Sequence, residues 1–329
     1  MDRFVTLTAR TAVVLAALGG VLVATAPAMA QEYPTRSIRM VLPFPAGGGS
    51  DLVARIIAQK YSTLLGQQVL VDNRAGASGN IAADIVAKAP GDGYTVLFAN
   101  SSLSISPAIY KKLTYDPVRD LTAISMASSY PFTLVAHPAL PVKSVKELVA
   151  LAKAKPNSLD YASAGTGTMS HMAMEMLRVK TGMRPTHLPY KGAAPATVAL
   201  LTGEAQVGFV VMPVAAPHIA THRLRGLGVA AKTRSAVAPD VPTMEEAGVP
   251  GHLAIQWNGL FVPVKTPQAM QDKLYKEWVI AVKSPEVVQR IRGEGAEPSG
   301  NTPAEFSAFY KAEAVKWADV AKQSGTKVD

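Results

Sequence analysis

From residue 37 onward the chain alternates short apolar runs with stretches in which apolar positions recur at helical spacing. Ser37 to Leu42 reads as a strand. Beyond a glycine-rich break, Leu52, Val53, Ile56, Ile57, Leu64 and Leu65 mark one side of a helix that Ser50 caps. Val69 to Val71 and Tyr94 to Phe98 read as the next strands, with a helix around Asn80 to Ala89 between them. The order is βαβαβ, so at least part of the sheet is expected to be parallel with right-handed crossovers.

The next section repeats that grammar. Phe132 to Ala136 reads as a strand, and Ser144-Val145-Lys146-Glu147 as a capping box opening a helix to about Lys155. Leu159 to Ala162 is another strand. A helix from about Met169 to Lys180 closes at Gly182, a strand lies near His187, a helix near Thr197 closes at Gly203, and a strand covers Gln206 to Met212. A second lobe like the first follows. Toward the end, Thr266-Pro267, Ser284-Pro285 and Thr302-Pro303 each place a capping hydroxyl before a proline at the first helical position, with no strands between these helices. The chain is expected to return to the first lobe near Trp257-Asn258-Gly259. The lobe bounds read from this are 31–132, 133–255 and 256–329, the last segment completing the first lobe.

Composition changes the picture at the start of the chain. Arg3 and Arg10 precede or flank an apolar run from Ala12 to Ala26, and Ala28-Met29-Ala30 has the small-x-small pattern of a signal-peptidase site. Residues 1–30 therefore read as a leader cut after Ala30, and the protein as periplasmic. The whole chain carries 33 Lys and Arg against 24 Asp and Glu, a net +9. The leader removes two arginines and one aspartate, leaving +8. No basic run of five or more occurs, which argues against a nucleic-acid stripe, while a diffuse positive field suits small anions. With no cysteine, disulfides, thiolate metal sites and a cysteine nucleophile are excluded.

Three strand-to-helix turns carry the candidate chemistry. "PFPAGGGSD" at 43–51 joins the first strand to the first helix, "SAGTGTMSH" at 163–171 stands at a helix start in the second lobe, and "YKGAAPA" at 190–196 is a third. Free amides at a helix N-terminus, with glycine backbone that allows close approach, bind an anion without a charged side chain. Thr166, Thr168 and Ser170 add hydroxyls. Turns of this kind in both lobes suggest a cleft gripped from two sides, although such a turn also occurs with no ligand.

Other chemistries fit less well. No P-loop pattern is present, and Gly165-Thr166-Gly167 does not complete a dinucleotide fingerprint. No G-x-S-x-G elbow exists, though Ser50, Ser163, Ser170 and His171 leave a secreted hydrolase open as the rival reading. His218 with His222, and His171 with Glu175, stand four apart but lack a third metal ligand.

Taken as a set, "YPTRSIRMVLPFPAGGGSDLVAR", "NRAGASGNIAADIVAKAPGDGYTVLFAN", "YASAGTGTMSHMAMEML", "LPYKGAAPA" and "APDVPTMEEAGVPG" resemble the extracytoplasmic solute receptors of tripartite tricarboxylate transporters, the Bug-type receptors, over residues 32–329. The resemblance implies an α/β, type II periplasmic-binding-protein fold: two lobes joined by a strand hinge and closing over one small ligand, usually a carboxylate. It implies ligand contacts at Phe44, Ala46, Gly47 and Gly48, at Asn100 and Ser101, at Ala164, Gly165, Thr166, Thr168 and His171, and at Tyr190, Lys191, Gly192 and Ala193. Where many relatives have an aspartate after the phenylalanine of the sixth strand, this chain has Val210. That favours a ligand with an apolar far end over an amino acid, unless Val210 points into the core. The expectation is a monomeric receptor, not an enzyme, with no cofactor or metal. Its partners are expected to be a small organic carboxylate and an integral-membrane permease, or a sensor kinase in its place, and no nucleic acid.

Overall fold

The computed structural model describes residues 33–47 and 49–328, so the leader over 1–30, its cleavage after Ala30, and Gly48 lie outside the described residues. Among the described residues, ten strands and ten α-helices follow in α/β order. β1 (Ile38–Leu42), β2 (Val69–Asn73) and β3 (Thr95–Asn100) are joined by α1 (Gly49–Leu65) and α2 (Asn80–Ala87). α3 (Ser102–Ile109) leads to β4 (Leu121–Ala136), and α4 (Val145–Ala154) to β5 (Asp160–Ser163). Next come α5 (Met169–Thr181), β6 (Thr186–Pro189), α6 (Ala193–Thr202), β7 (Val207–Val211), α7 (Met212–Ala220), β8 (Arg225–Val229) and β9 (Ile255–Pro263). The chain ends with α8 (Gln268–Lys283), α9 (Pro285–Gly293), β10 (Glu297–Pro298) and α10 (Pro303–Ser324).

The strands form one curled sheet in the order β2-β1-β3-β9-β4-β7-β5-β6, with β8 and β10 also paired to β4. β1 lies parallel to β2 and β3, and β5 parallel to β6 and β7, as the βαβ reading expects. β9 and β4 between them are antiparallel to their neighbours. The 16-residue β4 serves both halves: it pairs with β9 up to Pro131, then with β7 and β8 from Phe132 onward. The sequence reading found only its last part. The first part alternates with Thr122, Ser125, Ser128 and Ser129, a polar pattern that hides a strand buried between two partners.

Each half has its own core. Val41, Leu97, Trp257, Phe261, Phe306 and Tyr310 pack together in the first, and Leu134, Tyr161, Met172, Met176, Phe209 and Leu227 in the second. Trp257 and Phe261 of β9 thus pack with residues of β1 and β3. α3 and α10 do not respect that division. Ile105 and Ile109 of α3, and Trp317, Val320 and Ala321 of α10, belong to the second core, while Phe306 and Tyr310 of α10 belong to the first.

Several end signals work as read. Gly182 and Gly203 stop α5 and α6 with φ of 74° and 79°, the left-handed region that glycine tolerates. Thr302 and Glu305 form a full capping box, and Pro303 opens α10. At α4 the box is half made: Ser144 accepts from the Glu147 amide, but Glu147 reaches one residue further back to the Lys143 amide. Three expectations are corrected. Pro267 is itself the cap of α8, so Thr266 is displaced outward. Ser284 precedes Pro285 as read but caps no amide with its side chain. A short strand, β10, does intervene between α9 and α10 to cover the edge of β4.

Candidate functional site

The topology fixes where a cleft can form. β3 ends at Asn100, which faces Asn258 of β9, and Asn258 faces Ser128 of β4. β7 ends at Val211, which faces Phe132 of the same β4. The carboxyl ends of parallel strands from both halves therefore converge on Ser128–Phe132. In open α/β sheets ligands bind outside those ends.

The first turn is held at both ends. Asn73 Nδ2 donates to the Phe44 carbonyl at 2.9 Å and to Asp51 Oδ1 at 2.9 Å, and the Gly47 amide donates to Asp51 Oδ2 at 2.9 Å. Arg55 closes the frame, its Nε on Asp51 at 3.0 Å and its Nη2 on Asn73 Oδ1 at 3.0 Å. Asp51 is only 3% exposed. Burial pushes its pKa up, but the hydrogen bonds from Arg55, Gly47 and Asn73 outweigh this and leave it below the usual carboxylate value. Phe44 is half-buried, and Ala46 and Gly47 are exposed at the tip. The Gly47 amide, read as a ligand donor, is committed to Asp51.

Ser50 does not cap α1 as expected. Its hydroxyl donates to Asn258 Oδ1 at 2.9 Å, and Asn258 Nδ2 donates to Ser128 Oγ at 3.2 Å. Asn258 is fully buried, and Tyr130 beside it is partly exposed. Burial raises the Tyr130 pKa against the opposing hydrogen bonds of Asn258 and Ser50. Nearby, Asn100 accepts from the Ser102 amide and Ser101 donates to Gln256, so both residues read as cleft contacts are buried at this junction. A small cavity beside Asn100 is walled by Pro43, Leu97, Ala99 and Leu103.

The second turn binds itself. The Ala164 amide donates to Ser170 Oγ at 3.0 Å, the Gly165 amide to Ser163 Oγ at 3.1 Å, and the Gly167 amide to His171 Nδ1 at 3.2 Å. Thr168 Oγ1 donates to the Gly165 carbonyl at 2.7 Å, while Thr166 is exposed at the tip. Below lies a column of rings: His171 stacks on His187 at 4.2 Å, and His187 on Tyr161 at 4.7 Å. Tyr161 donates to Glu175, which Arg178 also pairs. Burial holds both histidines neutral, with pKa values lowered to about 4. His171, 5% exposed, thus supports the turn from beneath. Ser163, a possible nucleophile in the hydrolase reading, is buried, with His187 at 2.6 Å and the Gly165 amide both on its oxygen.

The third turn joins the second through the Gly192 amide, which donates to the Ala164 carbonyl at 3.1 Å. Lys191 and Ala193 are exposed, and the Tyr190 hydroxyl is turned to Glu204 at 2.9 Å. Val210 is 7% exposed and packs with Val135, Ala196, Ala199 and Leu200, so its side chain lies in the core beneath α6 and α7. The structure brings the second and third turns together and gathers Ser50, Asn100 and Ser101 around β9. Asn73, Tyr130, His187 and Asn258 were missed. Asp51 and Asn73 left one trace, a carboxylate closing the glycine run with Arg55 four residues on; Tyr130 and Asn258 lie far away in sequence. Among the described residues no group of three or more His, Cys, Asp or Glu is placed to hold a metal, and no helix is long and apolar enough to cross a membrane.

Comparison with known proteins agrees with this geometry. BugT of Bordetella pertussis is 36% identical over 320 residues, covering 95% of this chain and 98% of that protein. The structure of R. palustris Rpa4515 with adipate superposes with a TM-score of 0.80 at 34% identity, covering 90% of this chain and 99% of that one. MatC from Rhodopseudomonas palustris with bound malate gives 0.78 at 31% identity, covering 88% and 99%. The model of the tripartite tricarboxylate transporter family receptor matches residues 53–326, and the chain belongs to that family.

Proposed function

We propose that this protein is an exported, periplasmic receptor that captures a small dicarboxylate between its two lobes and presents the closed form to a membrane permease. The observation that carries this is the convergence of the strand ends of both halves on Ser128–Phe132, flanked by two glycine turns at helix N-termini. Adipate in Rpa4515 and malate in MatC are both dicarboxylates, and they support that ligand class here. The lobes follow the bounds 31–132, 133–255 and 256–329, and the leader is cut after Ala30.

With the Gly47, Ala164, Gly165, Gly167 and Gly192 amides and the Thr168 hydroxyl already bonded within and between their turns, the ligand is gripped by what remains: Ala46, Thr166 and the start of α5, together with Lys191. Charge-assisted hydrogen bonds contribute roughly 1.5–3 kcal/mol each, so three or four of them support micromolar binding after ordering costs. Closing buries the ligand and creates a surface the open form lacks, which is how occupancy is reported to a partner.

A thermal-shift and calorimetry screen of residues 31–329 against adipate, malate, tricarboxylates, aromatic acids, amino acids and phosphate tests this reading. A ligand at one hundred times its dissociation constant adds about 2.7 kcal/mol and raises Tm by several degrees. Dicarboxylate binding with the ligand recovered unchanged is the expected result. Silence to every carboxylate, or turnover of one, would sink the proposal.

A further inference from the structure

The floor of the cleft has a chemistry of its own. Asn100, Asn258 and Ser128 stand in one cross-strand row over β3, β9 and β4, and Ser50 reaches it from the first turn of α1. The hydrogen bonds in this row have a direction. Ser50 gives its proton to Asn258 Oδ1, and Asn258 Nδ2 gives one to Ser128 Oγ. The Asn258 amide is therefore pinned at both ends and fully buried. Tyr130, two residues beyond Ser128, and Ser50 are the partly exposed members of the group. Tyr130 precedes Pro131, which restricts its backbone to extended conformations.

We propose that Tyr130, backed by Ser50 and Asn258, is the specificity-determining contact of the floor, and that its phenol donates to the second carboxylate of a linear dicarboxylate. The inference rests on the receptor reading and adds to it the group that tells a diacid from a monoacid. Two further observations support it. The nearest buried acid at the first turn, Asp51, is saturated by Gly47, Asn73 and Arg55, so a ligand ammonium finds no open carboxylate there. A phenol is also protonated at neutral pH, which keeps it a donor there. An uncharged donor suits a ligand anion that must leave again, because an opposed lysine or arginine would bind it far more tightly.

The test compares adipate with hexanoate, which has the same chain length and one carboxylate, on wild type and Tyr130→Phe by calorimetry at neutral pH. Wild type is expected to bind adipate at least tenfold more tightly than hexanoate. Tyr130→Phe is expected to erase most of that ratio by weakening adipate alone. An unchanged ratio, or equal losses for both acids, overturns the subsite while leaving the receptor intact. Wild type that binds neither acid, nor any other carboxylate, overturns the receptor reading itself. Adipate monomethyl ester on wild type gives a second measurement that needs no variant: binding as tight as adipate overturns the role given to Tyr130, and a tenfold loss supports it.

Discussion

The backbone amide of Gly47 donates to the carboxylate of Asp51, 2.9 Å away across one turn of chain. With Asn73 holding the Phe44 carbonyl and the other Asp51 oxygen, the turn is framed at both ends before any ligand arrives. Its shape is set by three side chains rather than by its glycines alone.

Replacing Asp51→Asn leaves one acceptor where three donors converge. The loss expected at pH 7 is about 1–3 kcal/mol, the cost of a buried donor left unmatched. Asp51 has a folded pKa below its ordinary 3.8, so its contribution is present above that value and is lost as pH falls through the lower folded value. Urea unfolding of wild type and Asp51→Asn should therefore differ at pH 7 and converge as the pH drops below 3.8. A difference that stays constant with pH would contradict the frame.

His171 gives the second turn its own pH dependence. Its Nδ1 accepts from the Gly167 amide, and burial lowers its pKa from 6.5 to about 4; His187, stacked on it, is lowered to about 4 as well. The unfolded chain takes up protons near pH 6.5 and the folded chain only near 4, so stability is full above 6.5 and declines across that window. His171→Asn, whose amide oxygen can still accept from Gly167, should flatten part of that decline. His171→Ala should also flatten it but lose about 1–3 kcal/mol at pH 7 by orphaning the amide. Chemical denaturation between pH 4 and 8 separates the two; a wild-type curve flat across that range would contradict the prediction.

The parts of this fold that were legible in the sequence are those made by local signals. Gly182 and Gly203 end helices because only a left-handed residue fits there, and Thr302 with Glu305 opens α10 by contacts three residues apart. The glycine turns were also visible as the mouths of α1 and α5. What escaped depends on long-range pairing. Ser50 meets Asn258 across 208 positions, and the polar half of β4 becomes a strand only because β9 and β10 flank it. Val210 shows the same limit: a residue at the end of a strand faces cleft or core according to which helices cover it, and here α6 and α7 claim it.

Gly167 stands where the second turn touches the end of α3. Its φ is 79°, and a Cβ placed on it would collide with Cδ1 of Ile109 at the end of α3. Gly167→Ala therefore meets both backbone strain, about 1 kcal/mol, and overpacking of about 1–3 kcal/mol. Ile109→Val removes the colliding methyl, so Gly167→Ala with Ile109→Val should recover the overpacking part and leave the strain. A double-mutant cycle by urea unfolding checks this. Strict additivity would mean that the second turn and α3 are not coupled.

The last helix ties the two cores together. Phe306 and Tyr310 near its start sit in the first core, and Trp317, fully buried with its Nε1 on Glu313 Oε2 at 2.9 Å, sits in the second. Trp317→Ala should cost about 3–5 kcal/mol, as large aromatic truncations in cores do. Because the same helix carries Phe306, that loss should not free one half to melt alone. Unfolding of Trp317→Ala followed by far-UV circular dichroism and by tryptophan fluorescence, which reports Trp257 and Trp278 of the other half, should give superimposable transitions at a lower midpoint. Two separated transitions would mean that the halves fold independently and that α10 merely lies across them.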